Sequence, residues 1–310
     1  MEYGVHLPLI DFNGEPFTLE RLSTYTEKAV RLGFKTITAH DHLVFPRPWL
    51  DGLIALTAII QKSGNMALGT TVSLPVLRGP VPLAKALAAV DILSGGRLFV
   101  GVGSGSSSGD YKAVGIPFEE RWKRLDEAIV ALRTLLKGDA IDFNGRFYST
   151  QGVILEPKAF QNGGPPIWIG SWGYDTGLRR VARLGDGWLA SAYHNTPELF
   201  KSDLEKLKEN LIAFGRDPDS FPNAIASNFY YITDDWSKAE RIVSDFLSPA
   251  LKLPNNVMME RFLIGSAQKC AEKLASYREA GAQQILLWPV TDEIRQLDIF
   301  IENVAPLVQR

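Results

Sequence analysis

Cysteine is almost missing from this chain: Cys270 is the one thiol in 310 residues. A lone thiol closes no internal disulfide, so the fold must be held by its core, and such scarcity fits a reducing compartment. Neither sign of charge dominates, with 33 lysines and arginines against 35 aspartates and glutamates and a formal net charge of −2. That excludes the strongly basic composition by which nucleic-acid binders meet phosphate. No apolar run approaches the ~20 residues that cross a bilayer. The opening Met-Glu-Tyr-Gly-Val-His also lacks the basic start and apolar stretch of a secretory signal. The expectations are no nucleic acid, no membrane and a cytoplasmic location. Histidine is scarce too, four in all, which makes any place where two stand together informative.

What is present is an ordinary globular composition, 45% hydrophobic and 22% charged. At this length folding buries roughly three quarters of the unfolded surface, enough for a large core. Eight short β-branched and apolar runs stand out: Tyr3 to Leu7, Thr36 to Ala39, Ala67 to Val72, Leu98 to Val102, Ile167 to Gly170, Gly187 to Ala190, Ala224 to Ile232, and Gln284 to Trp288. They alternate with stretches of helical spacing, the pattern of repeated βα units. Trp122, Leu125, Ile129, Leu132 and Leu136 form one stripe that predicts a helix over Glu119 to Leu136, stopped by Gly138. Leu19 to Val30 and the stretch around Cys270, Leu274 and Tyr277 predict two more, with Cys270 as a packed thiol. Eight such units, without a Gly/Ser-rich linker, predict an α/β chain with a single (β/α)8 TIM barrel over residues 1–310. An insertion around residues 138–164 breaks the alternation, and its Asp142 to Tyr148 reads as a hairpin about Asn144-Gly145.

Three stretches carry candidate chemistry. Ala39-His40-Asp41-His42-Leu43 follows the second run, and the loops after parallel strands are where a barrel collects its reactive groups. Imidazole is the side chain whose ordinary titration falls nearest neutrality, so His42 is the candidate proton donor or acceptor, with Asp41 beside it. Neighbours along a strand face opposite ways, however, and need not touch. His40 and His42, two apart, instead suit a pair of metal ligands. His194, after the sixth run, is a candidate partner or a plain loop residue, and His6 reads as a core residue. Gly101-Val102-Gly103-Ser104-Gly105-Ser106 follows the fourth run and leaves no bulk to keep a ligand from the backbone, although no helix is expected before Glu119. Gly170-Ser171-Trp172-Gly173-Tyr174-Asp175-Thr176 precedes a helical stretch. Its amides make an anion site, with a phosphate as natural guest, or Asp175 or Ser171 merely caps the helix. Trp49, Trp172, Trp188, Tyr193 and Trp288 near strand ends serve as pocket wall or as packing.

Together with Leu68 to Pro75, Gly95 to Gly105, Pro165 to Ser171 and Arg183 to Trp188, the His40-Asp41-His42 run resembles the bacterial-luciferase-like superfamily of flavin- and deazaflavin-dependent barrel oxidoreductases. The matching stretches span most of the chain in family order. The resemblance implies a redox ring at the C-terminal mouth of the barrel, over a bulge at Thr71-Val72 that in relatives contains a non-proline cis peptide. It implies that Gly103, Ser104 and Gly105 flank the side chain of the cofactor, and that Gly170, Ser171, Trp172, Gly173 and Thr176 take its phosphate. The Asp41-His42 pair looks like the deazaflavin-using branch, which puts His42 near the hydride-exchanging carbon. One departure stands: sugar-phosphate dehydrogenases of that branch carry a glutamate where this chain has Ser106.

The reading that follows is a coenzyme F(420)-dependent oxidoreductase moving a hydride to or from a small organic substrate, with no metal. Its alternatives are a monooxygenase using reduced FMN and oxygen, a metal-dependent barrel hydrolase built on His40 and His42, and a barrel that binds flavin without turnover. A homodimer is a further expectation from the resemblance. Specificity is expected in the Val44 to Asp51 loop and the 138–164 insertion.

Overall fold

The computed structural model describes residues 1–138 and 142–308. Its nine strands are β1 (Glu2–His6), β2 (Thr36–Ala39), β3 (Ala67–Ser73), β4 (Leu98–Val102), β5 (Ile167–Gly170), β6 (Gly187–Ser191), β7 (Asn223–Ile232), β8 (Leu263–Gly265) and β9 (Gln284–Pro289). All pairings between them are parallel. β1 to β7 pair in sequence order, β7 pairs with β9, and β9 returns to β1, which closes an eight-stranded barrel ringed by helices. The eight runs read from the sequence are those eight strands.

β8 is the addition, and its three residues are too short to give a periodic signal. It exists because β7 is long. Ser227 has φ 56° and the register against β9 shifts between Ile225 and Asn228, so the first half of β7 faces β6 and the second half, Tyr230 to Ile232, takes β8 instead. Such a bulge bends a strand and re-aims its side chains.

Two bodies of apolar side chains hold the barrel. Phe99, Leu189, Ala224, Ala226 and Leu286 form a compact cluster contributed by β4, β6, β7 and β9, the barrel interior. It packs tightly enough that a Cβ on Gly69 would lie 2.1 Å from the Phe99 ring. The larger body lies between strands and helices, where each fully buried Leu, Ile or Phe contributes roughly 1.5–3 kcal/mol. Cys270 is buried there on the helix Ala267–Glu279.

The helix Arg121–Lys137 ends at Gly138, whose φ of 67° lets its amide reach the Thr134 carbonyl. Trp122 leaves the stripe expected for it and stands 39% exposed, because the barrel mouth lies on that side. In the insertion, Asp139 to Ile141 lie outside the described residues. The expected hairpin is present but its turn is displaced. Gly145 N–H donates to the Tyr148 carbonyl at 2.9 Å, which centres the turn on Arg146 and Phe147. The Glu127 carboxylate accepts both of those amides, at 3.2 and 2.7 Å, and so selects that turn over Asn-Gly. Among the described residues no helix is long and apolar enough to cross a membrane.

Candidate active site

The C-terminal ends of β2 to β7 open into a cavity of about 580 Å³, within the range of small-molecule sites. Its wall takes in Asp41, His42, Thr71, Val72, Gly103, Ser104, Gly105, Gly170, Ser171, Trp172 and Thr176, and Ser106 with them. Two of the expected residues are not part of it. Gly173 turns away with φ +90°, packed so closely on Asp203 that a Cβ there would lie 1.8 Å from the carboxylate. His194 lies behind Trp172, its ring stacked on the indole at 3.7 Å between centroids.

The carboxylate beside His42 is Asp110, not Asp41. Asp110 Oδ2 lies 2.7 Å from His42 Nδ1, and its Oδ1 accepts the N–H groups of Val44 at 2.6 Å and Leu43 at 3.2 Å. With Nδ1 so engaged, Nε2 is the ring nitrogen left for a ligand in the cavity. Asp41, in the loop that follows β2, turns its carboxylate away from His42. It forms a fork with Arg78, at 2.6 and 2.7 Å, and accepts the Leu74 amide at 3.3 Å. Arg78 also binds Asp51, the capping residue of the helix Gly52–Ala58. Asp41 therefore ties loops together below the site.

Asp110 rides on a helix that sequence reading overlooked. Ser108–Ala113 opens straight from the glycine loop, with the Ser107 hydroxyl accepting the Asp110 amide at 3.2 Å. The signal was available: Ser107 followed three residues later by Asp110 is close to a capping box. Six residues, one of them Gly109, gave no apolar stripe to notice.

The other histidines are held neutral. His40 Nδ1 accepts the Val72 N–H at 2.9 Å, and the Thr71 carbonyl lies against the same nitrogen. The Thr71–Val72 peptide is cis, as the resemblance implies. Burial pushes the His40 pKa down to about 3, and the neighbouring His42 adds to the effect. His6 stacks on Trp288 at 3.7 Å and 14°, a buried ring driven well below the ordinary range by desolvation. His194 is lowered to about 4, by burial first and then by Arg261. Among the described residues no group of three or more His, Cys, Asp or Glu side chains comes together as a metal cage.

At the opposite end of the cavity the Gly170 to Thr176 loop runs into the helix Asp175–Leu184. No side chain caps that helix; the Tyr174 carbonyl takes the Gly177 and Leu178 amides, which leaves those of Asp175 and Thr176 to a ligand or solvent, and neither Asp175 nor Ser171 fills the capping role. A Cβ on Gly177 would lie 2.4 Å from Ser171 Oγ, so glycine there lets serine and backbone crowd together. Arg121 and Arg180 line this end, neither suggested by the sequence pattern. Arg180 pairs with Asp126 and holds its guanidinium 5.0 Å from the Trp122 ring. Positive charge, uncapped amides and hydroxyls converge here, and each helix-end contact to an anion contributes about 0.3–1 kcal/mol. The aromatic residues divide: Trp172 lines the cavity, Trp49 packs 4.7 Å from His42, and Trp188 is wholly buried with its N–H on the Ser171 carbonyl.

The family model described as luciferase-like monooxygenase matches residues 4–284. The chain belongs to that family. Within it, this luciferase-like chain is 29% identical to the F(420)-dependent hydroxymycolic acid dehydrogenase of Mycobacterium tuberculosis, over 94% of this chain and 85% of the relative. It is 26% identical to the F(420)-dependent glucose-6-phosphate dehydrogenase of Mycolicibacterium smegmatis, over 95% of both. Among solved structures it superposes on a monooxygenase from Streptomyces bottropensis with a TM-score of 0.84 at 23% identity, covering 99% of each chain. An F(420)-dependent secondary alcohol dehydrogenase superposes with a TM-score of 0.86 at 19% identity, covering 100% of this chain and 99% of that one. At these identities the superpositions speak for the luciferase-like barrel alone.

Proposed function

We propose that this luciferase-like barrel is an oxidoreductase that uses coenzyme F(420) to move a hydride to or from a small organic substrate. The observation that carries the reading is one cavity with two unlike ends. At one, a histidine is fixed through Nδ1 by a buried carboxylate; at the other, uncapped amides lie beside arginines. The similar curated proteins named above are F(420)-dependent dehydrogenases.

The residues present fit such a cofactor. Gly103 and Gly170 leave room on either side of Val72, since a Cβ on either would come within 2.7 or 3.1 Å of its methyl groups. That gives a flat apolar floor continued by Leu74 and Leu189. In this reading Thr71 and Val72 form the floor, Gly103, Ser104 and Gly105 edge the cofactor's side chain, and Gly170, Ser171, Trp172 and Thr176 hold its phosphate. When bound, the deazaflavin supplies a carbon that accepts or gives up a hydride. The protein's part is proximity and proton handling. His42 takes the proton from a substrate hydroxyl through Nε2, or returns it in the reverse direction, while Asp110 holds the Nδ1–H and steadies the charged ring. Asp41 and His194 are assigned no proton step, because Asp41 is committed to Arg78 and His194 is screened by Trp172. The protein is read as cytoplasmic on its scarcity of cysteine and as homodimeric on the resemblance.

Titration of the purified protein with F(420) and, separately, with FMN tests the reading. Quenching of F(420) fluorescence with saturable, tight binding and no FMN affinity is expected. Tight FMN binding with none for F(420) reverses the order and favours the monooxygenase alternative.

A further inference from the structure

We propose that His40 is a positioning residue: as a neutral ring it fixes Val72, the centre of the cavity floor, through its Nδ1. The proposal deepens the cofactor reading above and rests on it for its functional consequence.

Val72 is held from two directions. Its side chain occupies the gap that Gly103 and Gly170 leave, as the would-be Cβ contacts of 2.7 and 3.1 Å record. Its backbone N–H is taken by His40 Nδ1 at 2.9 Å. The ladder between β2 and β3 ends at Ala39 and Thr70, so on the β2 side this amide lies beyond the last strand pair and meets the residue that follows β2. The Thr71 carbonyl lies against the same nitrogen, so the two tautomers differ in which partner Nδ1 serves: bare, it accepts from Val72, and protonated, it donates to Thr71. The Val72 amide can only donate, and the bare form, with the ring's hydrogen on Nε2, is the one that serves it.

The surroundings keep it in that state. His6 lies 6.4 Å away, His42 5.5 Å, Trp49 5.6 Å and Trp288 5.5 Å, centroid to centroid. The groups facing His40 that can carry charge are therefore two more imidazoles, with Asp110 beyond and hydrogen-bonded to His42 rather than to His40. Protonation would bury a charge beside His42 and cost Val72 its acceptor. The lowering of the His40 pKa by burial agrees with this. It also separates two histidines that stand two residues apart: the Nδ1 of His42 meets a carboxylate, whereas that of His40 meets a backbone amide.

Three measurements test it. In the unliganded protein, nitrogen NMR of labelled histidine should show His40 with a bare Nδ1, hydrogen on Nε2, and no titration between pH 5 and 8. An Nδ1–H form or a titrating ring overturns the proposal. His40→Leu, which fills space without an acceptor, should weaken F(420) binding at least tenfold by fluorescence titration while the KM for substrate moves less than threefold. His40→Asn places an amide oxygen where Nδ1 was and should recover F(420) affinity to within threefold of the native protein. Native affinity in a folded His40→Leu variant, or failure of a folded His40→Asn variant to recover, overturns the role. Should His40→Leu not fold, the NMR result and His40→Asn decide. Should the native protein bind no F(420), the cofactor reading falls, and the NMR result still decides whether His40 holds Val72.

Discussion

Replacing Asp110 with asparagine changes one atom and reverses one hydrogen bond. The carboxylate accepts from His42, Val44 and Leu43. Asparagine can turn its oxygen toward the two backbone amides or toward His42, but not toward both. Facing its NH₂ to the amides would leave two buried donors unmet at about 1–3 kcal/mol each, so the oxygen stays with the loop and the NH₂ meets His42 Nδ1. The ring must then accept at Nδ1 and carry its hydrogen on Nε2, the nitrogen assigned to receive the substrate's proton. Loss of general-base work of this kind lowers kcat/KM roughly 10²–10⁴-fold, about 3–5 kcal/mol of barrier. F(420) affinity should stay within threefold and the melting temperature within a few degrees. Asp110→Ala, by contrast, strands His42 and both amides at a cost of about 3–5 kcal/mol, a fall on the order of 10 °C in Tm. Steady-state kinetics, fluorescence titration and thermal melts on the two variants make the comparison. Native kcat/KM in Asp110→Asn would refute the assignment of His42 and Asp110 together.

Three further outcomes follow from other contacts. Asp41→Asn breaks the fork with Arg78 and should lower stability by roughly 3 kcal/mol in urea without shifting the pH profile of kcat/KM; a shifted profile would return Asp41 to the chemistry. Gly103→Ala puts a Cβ 2.7 Å from a Val72 methyl and should weaken F(420) binding at least tenfold by titration while costing only about 1–3 kcal/mol of stability. His40 and His194, lowered to about 3 and about 4, make the fold acid-sensitive. The unfolded chain takes up protons below about pH 6.5 while these rings refuse them, so stability is full above that pH and is lost as pH falls toward 4 and then 3. Between pH 8 and pH 5 each contributes a loss of about 1–2 kcal/mol, and His194→Asn should remove its share from the urea midpoints measured at the two values.

The barrel could be read from the sequence because its strands are buried on both faces, so Leu98 to Val102 or Gln284 to Trp288 appear as short unbroken apolar runs whatever they pair with. The glycine loops were equally readable, since missing side chains are visible in a sequence. β8 was not, because it exists through the bend in β7 and pairs residues more than thirty apart in the chain. Chain proximity suggested Asp41 for His42, yet in the loop after β2 Asp41 is drawn to Arg78, and the partner came from 68 residues away on a helix of a single short stretch. His40 and His42 looked equivalent until their neighbours were known: one Nδ1 meets a backbone amide among aromatic rings, the other a carboxylate. Local sequence thus determined the elements, the family and the mouth at which the chemistry gathers, because periodicity and glycine act over a few residues. The state of each histidine, the identity of the carboxylate and the shape of the cavity floor were decided only by tertiary packing, because burial and hydrogen bonding depend on what distant strands bring together.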